Sequence, residues 1–388
     1  MKKVLFLGHS GLSGGAEYCL DTFLRFLDSE RIMPWCFFAT DGPLAEAAKK
    51  RGILSQVITF SWWMLYTPSL WEWKNRLKIP FRILWLMYFL RREKIELVYT
   101  NTPCLFEGAL AAWLTGIPHV YHIHEVLRDE NMRPRWFSLN FLMKFVCRRS
   151  SRIIFVSEAA KEVACALLPE SWKGEFQKKS RVVWNASRFS SRDWEGMNRE
   201  NSRQRWEIPS DKIVILWIGR FSRRKNPKMF LEAITKMRHK SQVMCLFVGD
   251  GPLIGEVQEI IKNENLSEIC RILPFQEDIR SLIVTGDLAV LTSTEESFGL
   301  VLVEAGIYGI PLVATRVEGP SYIIKDGVTG FLVDVNDAET FAEKLDWMIE
   351  FPSARQEMGE KTRQRILTLF DPVKNASEIM NILDEIHS

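Results

Sequence analysis

Two cations and two carboxylates stand at positions that could do chemistry together. The apolar run Ile213–Ile218 ends at Gly219, and Arg220 and Lys225 follow closely. A second apolar run ends near Leu291, and Glu296 and Glu304 then flank Gly299. A helix that begins near Gly299 leaves the amides of Gly299, Leu300 and Val301 unpaired, and such a helix start attracts phosphate. A diphosphate there needs positive charge. Arg220 offers a planar fork and Lys225 a compact point charge. Glu304, one to two turns into the helix, can accept two hydrogen bonds from a vicinal diol such as a ribose. Glu296, in the loop, can hold sugar hydroxyls. Arg223 and Arg224 read as the solvated flank of the same loop.

The elements that must carry these groups follow from the apolar pattern. Strand-like runs occur at Val4–Leu7, Trp35–Ala39, Leu97–Tyr99, Val120–Ile123, Ile153–Val156 and Val182–Trp184. After a polar stretch at 187–211 they resume at Ile213–Ile218, Val243–Val248, Arg271–Leu273, Leu288–Leu291, Leu312–Ala314 and Phe331–Val333. Helical patterns separate most of them, which reads as α/β architecture with helices covering parallel sheets. Two such arrays predict two Rossmann-like domains, 1–190 and 191–370. Asp371-Pro372 then opens an amphipathic helix over 371–388, able to pack back on the first domain. Ligands bind at the carboxyl ends of parallel strands, so the active site is expected in the cleft between the domains.

Composition narrows the class. The chain has 388 residues, 47% of them hydrophobic, and a formal net charge of +3, so no nucleic-acid partner is implied and any anion site is local. The seven cysteines show no metal-ligand spacing and mostly lie in apolar stretches, which suggests a reducing, cytoplasmic setting. No secretory signal pattern and no membrane-spanning run is visible. The chain contains no D-x-D triplet, so no metal and no cofactor is expected at the diphosphate; Arg220, Lys225 and the helix start carry that load.

Longer stretches carry a resemblance. "GRFSRRKNP", "VGDGP", "ESFGLVLVEAGIYGIPLVATRVEG" and "DGVTGFLV" resemble the retaining nucleotide-sugar glycosyltransferases of family four, which have the two-domain GT-B fold. "SGGAE" at 13–17 resembles their N-terminal glycine loop and "HIHEV" their histidine-bearing strand end. The resemblance implies transfer from a nucleoside-diphosphate sugar to a glycan or lipid-linked acceptor, in cell-surface polysaccharide assembly. It makes Arg220 and Lys225 the diphosphate clamp, Glu296 a contact of the donor sugar and Glu304 the ribose contact. Backbone at Phe298, Gly299, Leu300 and Val301 would hold phosphate and sugar. Gly14 and Gly15 would let the N-terminal loop approach the phosphates, Gly249 would line the donor site, and Phe275 would mark the base-binding segment. His124 would contact the donor sugar at the reaction centre, with His122 deeper on the same strand face. No residue presents itself as a covalent nucleophile, and the resemblance favours front-face attack with the leaving phosphate as base.

Other readings share the fold: a nucleotide-sugar epimerase, or a binding scaffold without catalysis. The E-x7-E element together with the Arg-Lys pair argues for transfer. Two departures stand out. Where the family often has Asn-Gly-hydrophobic-Asp after the last strand of the first domain, this chain has Asn185-Ala186-Ser187-Arg188. Where it often has glycine-x-x-Glu, this chain has Gly319-Pro320-Ser321-Tyr322. Residues 60–82 mix Trp62, Trp63, Trp71 and Trp73 with Lys74, Arg76, Lys78 and Arg82, a composition suited to the interface of an anionic membrane and to a peripheral position on its inner face. Ile83–Leu90 reads as a core helix.

Overall fold

The computed structural model describes residues 1–12, 14–62, 75, 77–128 and 137–386. Ser13, Trp63, Trp71, Trp73, Lys74 and Arg76 lie outside the described residues. The chain divides into two compact units, Met1–Ala186 with Pro372–Ser388, and Ser187–Asp371.

Each unit is built on a parallel sheet. Among the described residues the first holds β1 (Lys2–Gly8), β2 (Ile32–Phe38), β3 (Leu54–Val57), β4 (Leu97–Thr100), β5 (His119–Ile123), β6 (Arg152–Phe155) and β7 (Ser180–Val182), in the order β3-β2-β1-β4-β5-β6-β7. The second holds β8 (Ile213–Ile218), β9 (Val243–Val248), β10 (Cys270–Leu273), β11 (Leu288–Leu291), β12 (Leu312–Thr315) and β13 (Gly330–Val333), in the order β10-β9-β8-β11-β12-β13. Central strands such as Val243–Val248 are buried along their whole length, which is why they read as unbroken apolar runs. β3 escaped that reading because it is a short edge strand with Leu54 and Val57 facing solvent. In both sheets the strand order reverses beside the first strand, between β1 and β4 and between β8 and β11. Helices there pass to opposite faces and open a crevice at the carboxyl ends.

The last helix, Pro372–Asp384, belongs to the first unit. Its Ala376, Ile379, Met380, Ile382 and Leu383 join Val4, Phe6, Leu20 and Phe23 in one core. Lys2 Nζ donates to the carbonyls of Leu383 and Ile386 at 2.8 and 2.7 Å, satisfying two acceptors left open at the helix end. The second unit opens at Ser187, a few residues before position 191. Ser187 is fully buried there, its N–H donates to Phe370 O at 3.2 Å, and Arg188 reaches Glu304.

The stretch Ile83–Leu90, read as a core helix, lies in the helix Ile79–Arg92 and joins the core by one face only. Ile83, Leu86, Phe89 and Leu90 face inward, but Leu77, Phe81, Leu84 and Tyr88 are 76%, 73%, 61% and 60% exposed. At 100° per residue the three within the helix, Phe81, Leu84 and Tyr88, fall in an arc of about 60°, opposite the buried face, and Leu77 precedes them just before the helix. Arg82 is on the inner side. It makes a two-pronged contact with buried Glu107 at 2.7 Å and donates to Ser61 Oγ and Asn75 Oδ1. It therefore cannot face lipid headgroups as the sequence suggests. Trp62 likewise packs partly inside, with its ring 5.4 Å from that of His9.

Leu383 is fully buried between the last helix and the first sheet. Leu383→Ala should lower stability by about 2–5 kcal/mol through lost burial and a residual cavity. Thermal unfolding checks this, and an unchanged midpoint would show that the helix does not belong to that core.

Candidate active site

The second unit's crevice is built by two loops fastened together. One follows β8, the other β11. Trp217 Nε1 donates to Thr292 Oγ1 at 3.0 Å, Thr292 Oγ1 donates to the carbonyls of Lys225 and Asn226 at 3.1 and 2.9 Å, and Thr294 N donates to Arg224 O at 2.8 Å. Asn226 has φ +47°, a left-handed turn that asparagine tolerates, and Pro227 then starts the helix Pro227–Lys236. The β9 end presses on the β8 end: a Cβ at Gly249 would lie 2.1 Å from Gly219 O. Gly249, expected to line the donor site, is thus first of all the residue that lets these loops meet.

Lys225 Nζ contacts Glu296 Oε2 directly, and both side chains are largely buried. Burial alone would raise the Glu296 pKa, but the charges of Lys225 and Arg224 outweigh it, and the carboxyl titrates below its ordinary value. Arg224 therefore does more than flank the loop. Arg220 is exposed at the β8 end, with no hydrogen bond or ion pair among the described residues. Gly299 caps the helix Leu300–Ile307 with φ +100°, ψ +56°, and no side chain caps the amides that follow. Phe298 is buried beside it, with its ring 5.4 Å from Phe370. Glu304 is 3% exposed and paired to Arg188, a partner that sequence reasoning marked only as a departure from the family pattern. Phe275 follows β10 and is exposed. The structure thus brings Arg220, Lys225, Glu296, Gly299, Leu300, Val301 and Glu304 to one switch point: cations and unpaired amides for an anion, and carboxylates for hydroxyls.

The first unit gathers a histidine cluster at its own switch point. His124, just beyond β5, is buried and pairs through Nε2 with Asn101 Oδ1 at 2.9 Å. Its ring lies 4.1 Å from that of His122, which meets Tyr99 OH through Nδ1 at 2.5 Å. His124 Nδ1 is buried with no hydrogen-bond partner among the described residues. His9, beyond β1, sits 2.9 Å from the Glu17 carboxylate. The sequence puts His9 and Asn101 among the polar residues that directly follow strands, and Glu17 within the N-terminal glycine loop, but gives none of the three a role of its own. A Cβ at Gly14 would lie 2.5 Å from Glu17 Oε2, so the Glu17 carboxylate would have to move to admit one. Gly15 opens the helix Gly15–Arg25, and among the described residues nothing lies close enough to require a glycine there.

Two parallel α/β units, each with a switch point at the carboxyl ends of its strands, are the architecture of the GT-B class of glycosyltransferases. Comparison with known proteins agrees. The model for glycosyl transferases group 1 matches residues 198–365, and that for Glycosyltransferase Family 4 matches 13–173. The chain is 26% identical over 245 residues to N-acetyl-alpha-D-glucosaminyl L-malate synthase of Bacillus anthracis, a match covering 63% of this chain and 62% of that one. It is 23% identical over 345 residues to the UDP-Gal:alpha-D-GlcNAc-diphosphoundecaprenol alpha-1,3-galactosyltransferase of Escherichia coli, covering 86% and 87%. The crystal structure of Anabaena HepE in complex with UDP and glucose superposes with a TM-score of 0.83 at 24% identity, over 100% of both chains. The chain belongs to glycosyltransferase family four.

The histidines give the first unit a pH dependence of defined sign. Burial depresses His119 and His122 to about 3, and His124 well below its ordinary value. Such groups are neutral when folded and protonate when unfolded, so their stabilisation is complete above about pH 6.5 and is lost as pH falls below it. His9 acts in the opposite sense: burial lowers its pKa, but Glu17, with Glu125, more than reverses this. Three against one, the net effect should be a loss of stability from pH 6.5 downward, at up to about 1.4 kcal/mol per pH unit per buried histidine. Thermal unfolding from pH 7.5 to 4.5 should show it, with a flatter slope in His119→Gln/His122→Gln. Equal slopes in both proteins would contradict the assignment.

Proposed function

We propose that the protein transfers a sugar from a nucleoside-diphosphate sugar to a glycan or lipid-linked acceptor with retention of configuration, in cell-surface polysaccharide assembly. The observation that carries this is the second unit's switch point, where Arg220, Lys225 and the helix start at Gly299 form an anion site flanked by Glu296 and Glu304. The relatives' names support the donor class: HepE structures hold UDP and UDP-glucose, and the Escherichia coli relative is named for a UDP-sugar donor and a lipid-diphosphate acceptor.

In this reading Arg220 and Lys225 neutralise the diphosphate, and the amides of Gly299, Leu300 and Val301 receive its distal oxygens. Glu296 then turns toward the sugar hydroxyls, as Lys225 gains a second anionic partner. We assign His124, kept neutral by burial, to the donor sugar. The bond from the anomeric carbon to the phosphate oxygen breaks, and the acceptor oxygen bonds to the same face of that carbon. The acceptor proton passes to the departing phosphate oxygen. With two cations and a helix start already at the diphosphate, we propose that the reaction needs no metal or other cofactor. All seven cysteines are free thiols, which supports placement in the reducing cytoplasm.

Attachment to an anionic membrane surface belongs to the helix Ile79–Arg92 rather than to the whole 60–82 stretch. The outward stripe of Leu77, Phe81, Leu84 and Tyr88 is flanked by exposed Lys78, Arg91 and Arg92, and no acidic residue lies within the helix. Among the described residues no helix is long and apolar enough to cross a membrane, so this helix would lie in the interface.

Two measurements test these readings. Calorimetric titration of UDP, GDP and ADP in EDTA should show binding of one nucleotide, weakened about tenfold or more by Arg220→Ala and by Lys225→Ala, since hydrogen bonds to charged groups contribute about 1.5–3 kcal/mol. Unchanged affinity in both variants overturns the clamp, and binding that requires added Mg²⁺ overturns metal independence. In flotation assays the protein should rise with phosphatidylglycerol vesicles at low salt and be released at high salt, and Phe81→Glu/Leu84→Glu should stay at the bottom. If the wild type ignores such vesicles, the stripe has another occupant.

A further inference from the structure

The carboxylate assigned to the ribose is already occupied by a residue that departs from the family pattern. Glu304 is almost fully buried on the helix Leu300–Ile307, and Arg188 Nε donates to its Oε1. A carboxylate so deeply buried needs a charged, hydrogen-bonded partner to offset the water it has lost. Arg188 is held on every side. Ser187 is fully buried, its N–H is tied to Phe370 O, and its Oγ accepts from Phe189 N at 3.0 Å. The Phe189 ring lies 5.0 Å from the Arg188 guanidinium and 5.4 Å from that of Arg280, which grips Asp278 at 2.9 and 2.7 Å. Arg188 Nη1 approaches Glu277 O at 3.5 Å, in the loop after β10 that carries Phe275. The guanidinium therefore spans from the ribose carboxylate to the segment assigned to the base.

We propose that Arg188 is a positioning residue for nucleotide recognition, fixing the plane and charge of Glu304 so that its two oxygens meet the two hydroxyls of a ribose. A carboxylate has lone pairs for about four hydrogen bonds, so Arg188 and a vicinal diol share it without displacement. Without Arg188 the carboxylate is neither neutralised nor held in plane, and recognition of the 2′-hydroxyl goes with it. The inference rests on the donor reading above and on Glu304 as the ribose contact.

The test uses the diphosphate that the wild type binds best among UDP, GDP and ADP, together with its 2′-deoxy counterpart, by calorimetry on the full chain. The wild type should prefer the ribonucleotide by about tenfold or more. In Arg188→Ala the preference should shrink to within about threefold, Arg188→Lys should restore part of it, and Arg188→Ala/Glu304→Gln should discriminate no less than Glu304→Gln alone. The double variant removes both buried charges, so it stays measurable if Arg188→Ala alone fails to fold. A role in stability alone would lower the unfolding temperature and leave the ratio untouched. A wild-type ratio in folded Arg188→Ala and Arg188→Lys overturns the inference. If Arg188→Ala does not fold, a double variant that discriminates less than Glu304→Gln overturns it. A wild type that binds both forms equally overturns the ribose assignment of Glu304 instead, and a wild type that binds none of the diphosphates overturns the donor reading itself.

Discussion

Glu296 is a carboxylate buried at a strand end, and it is held ionised there by Lys225, which reaches it from a neighbouring loop, with the charge of Arg224 and the Phe298 amide adding to the effect. Much of the second unit's local structure serves that meeting. Thr292 and Thr294 bind the two loops backbone to side chain, Gly249 and Gly251 let the β9 end close on the β8 end, and Gly319 N donates to Glu296 O at 2.8 Å. The result is a charged pair poised beside an exposed arginine and an open helix start, at the point where the strand order reverses.

Glu304 and Arg188 repeat the arrangement one to two turns further on. Both carboxylates of the motif are held by a cation within their own unit. A preorganised, partly desolvated site of this kind stabilises developing charge without reorganising during reaction. Arg220, by contrast, is left exposed, which leaves it open for the proposed role at the diphosphate.

Much of this was legible in the sequence, for reasons that differ by residue. Buried parallel strands such as Ile213–Ile218 and Val243–Val248 announce themselves as unbroken apolar runs, so the residues just beyond them could be read as a site. Arg220, Lys225, Glu296 and Glu304 were found that way. Partnerships across long sequence separations left no such trace: nothing local says that Arg188 meets Glu304 or that His9 meets Glu17. The helix Ile79–Arg92 misled for another reason. It is apolar on two opposite faces, and composition alone cannot tell a buried face from a displayed one. Arg82 shows the same limit from the charged side, since a basic residue in a basic stretch turned inward to satisfy Glu107.

The most direct test of the account is a double-mutant cycle on the Lys225–Glu296 pair, read as unfolding free energy by calorimetry. Lys225→Met and Glu296→Gln should each destabilise by about 1–3 kcal/mol, because each leaves a buried charge unpaired, while the double variant should recover much of that loss. Strictly additive effects, or single variants as stable as the wild type, would mean that the pair does not organise the site.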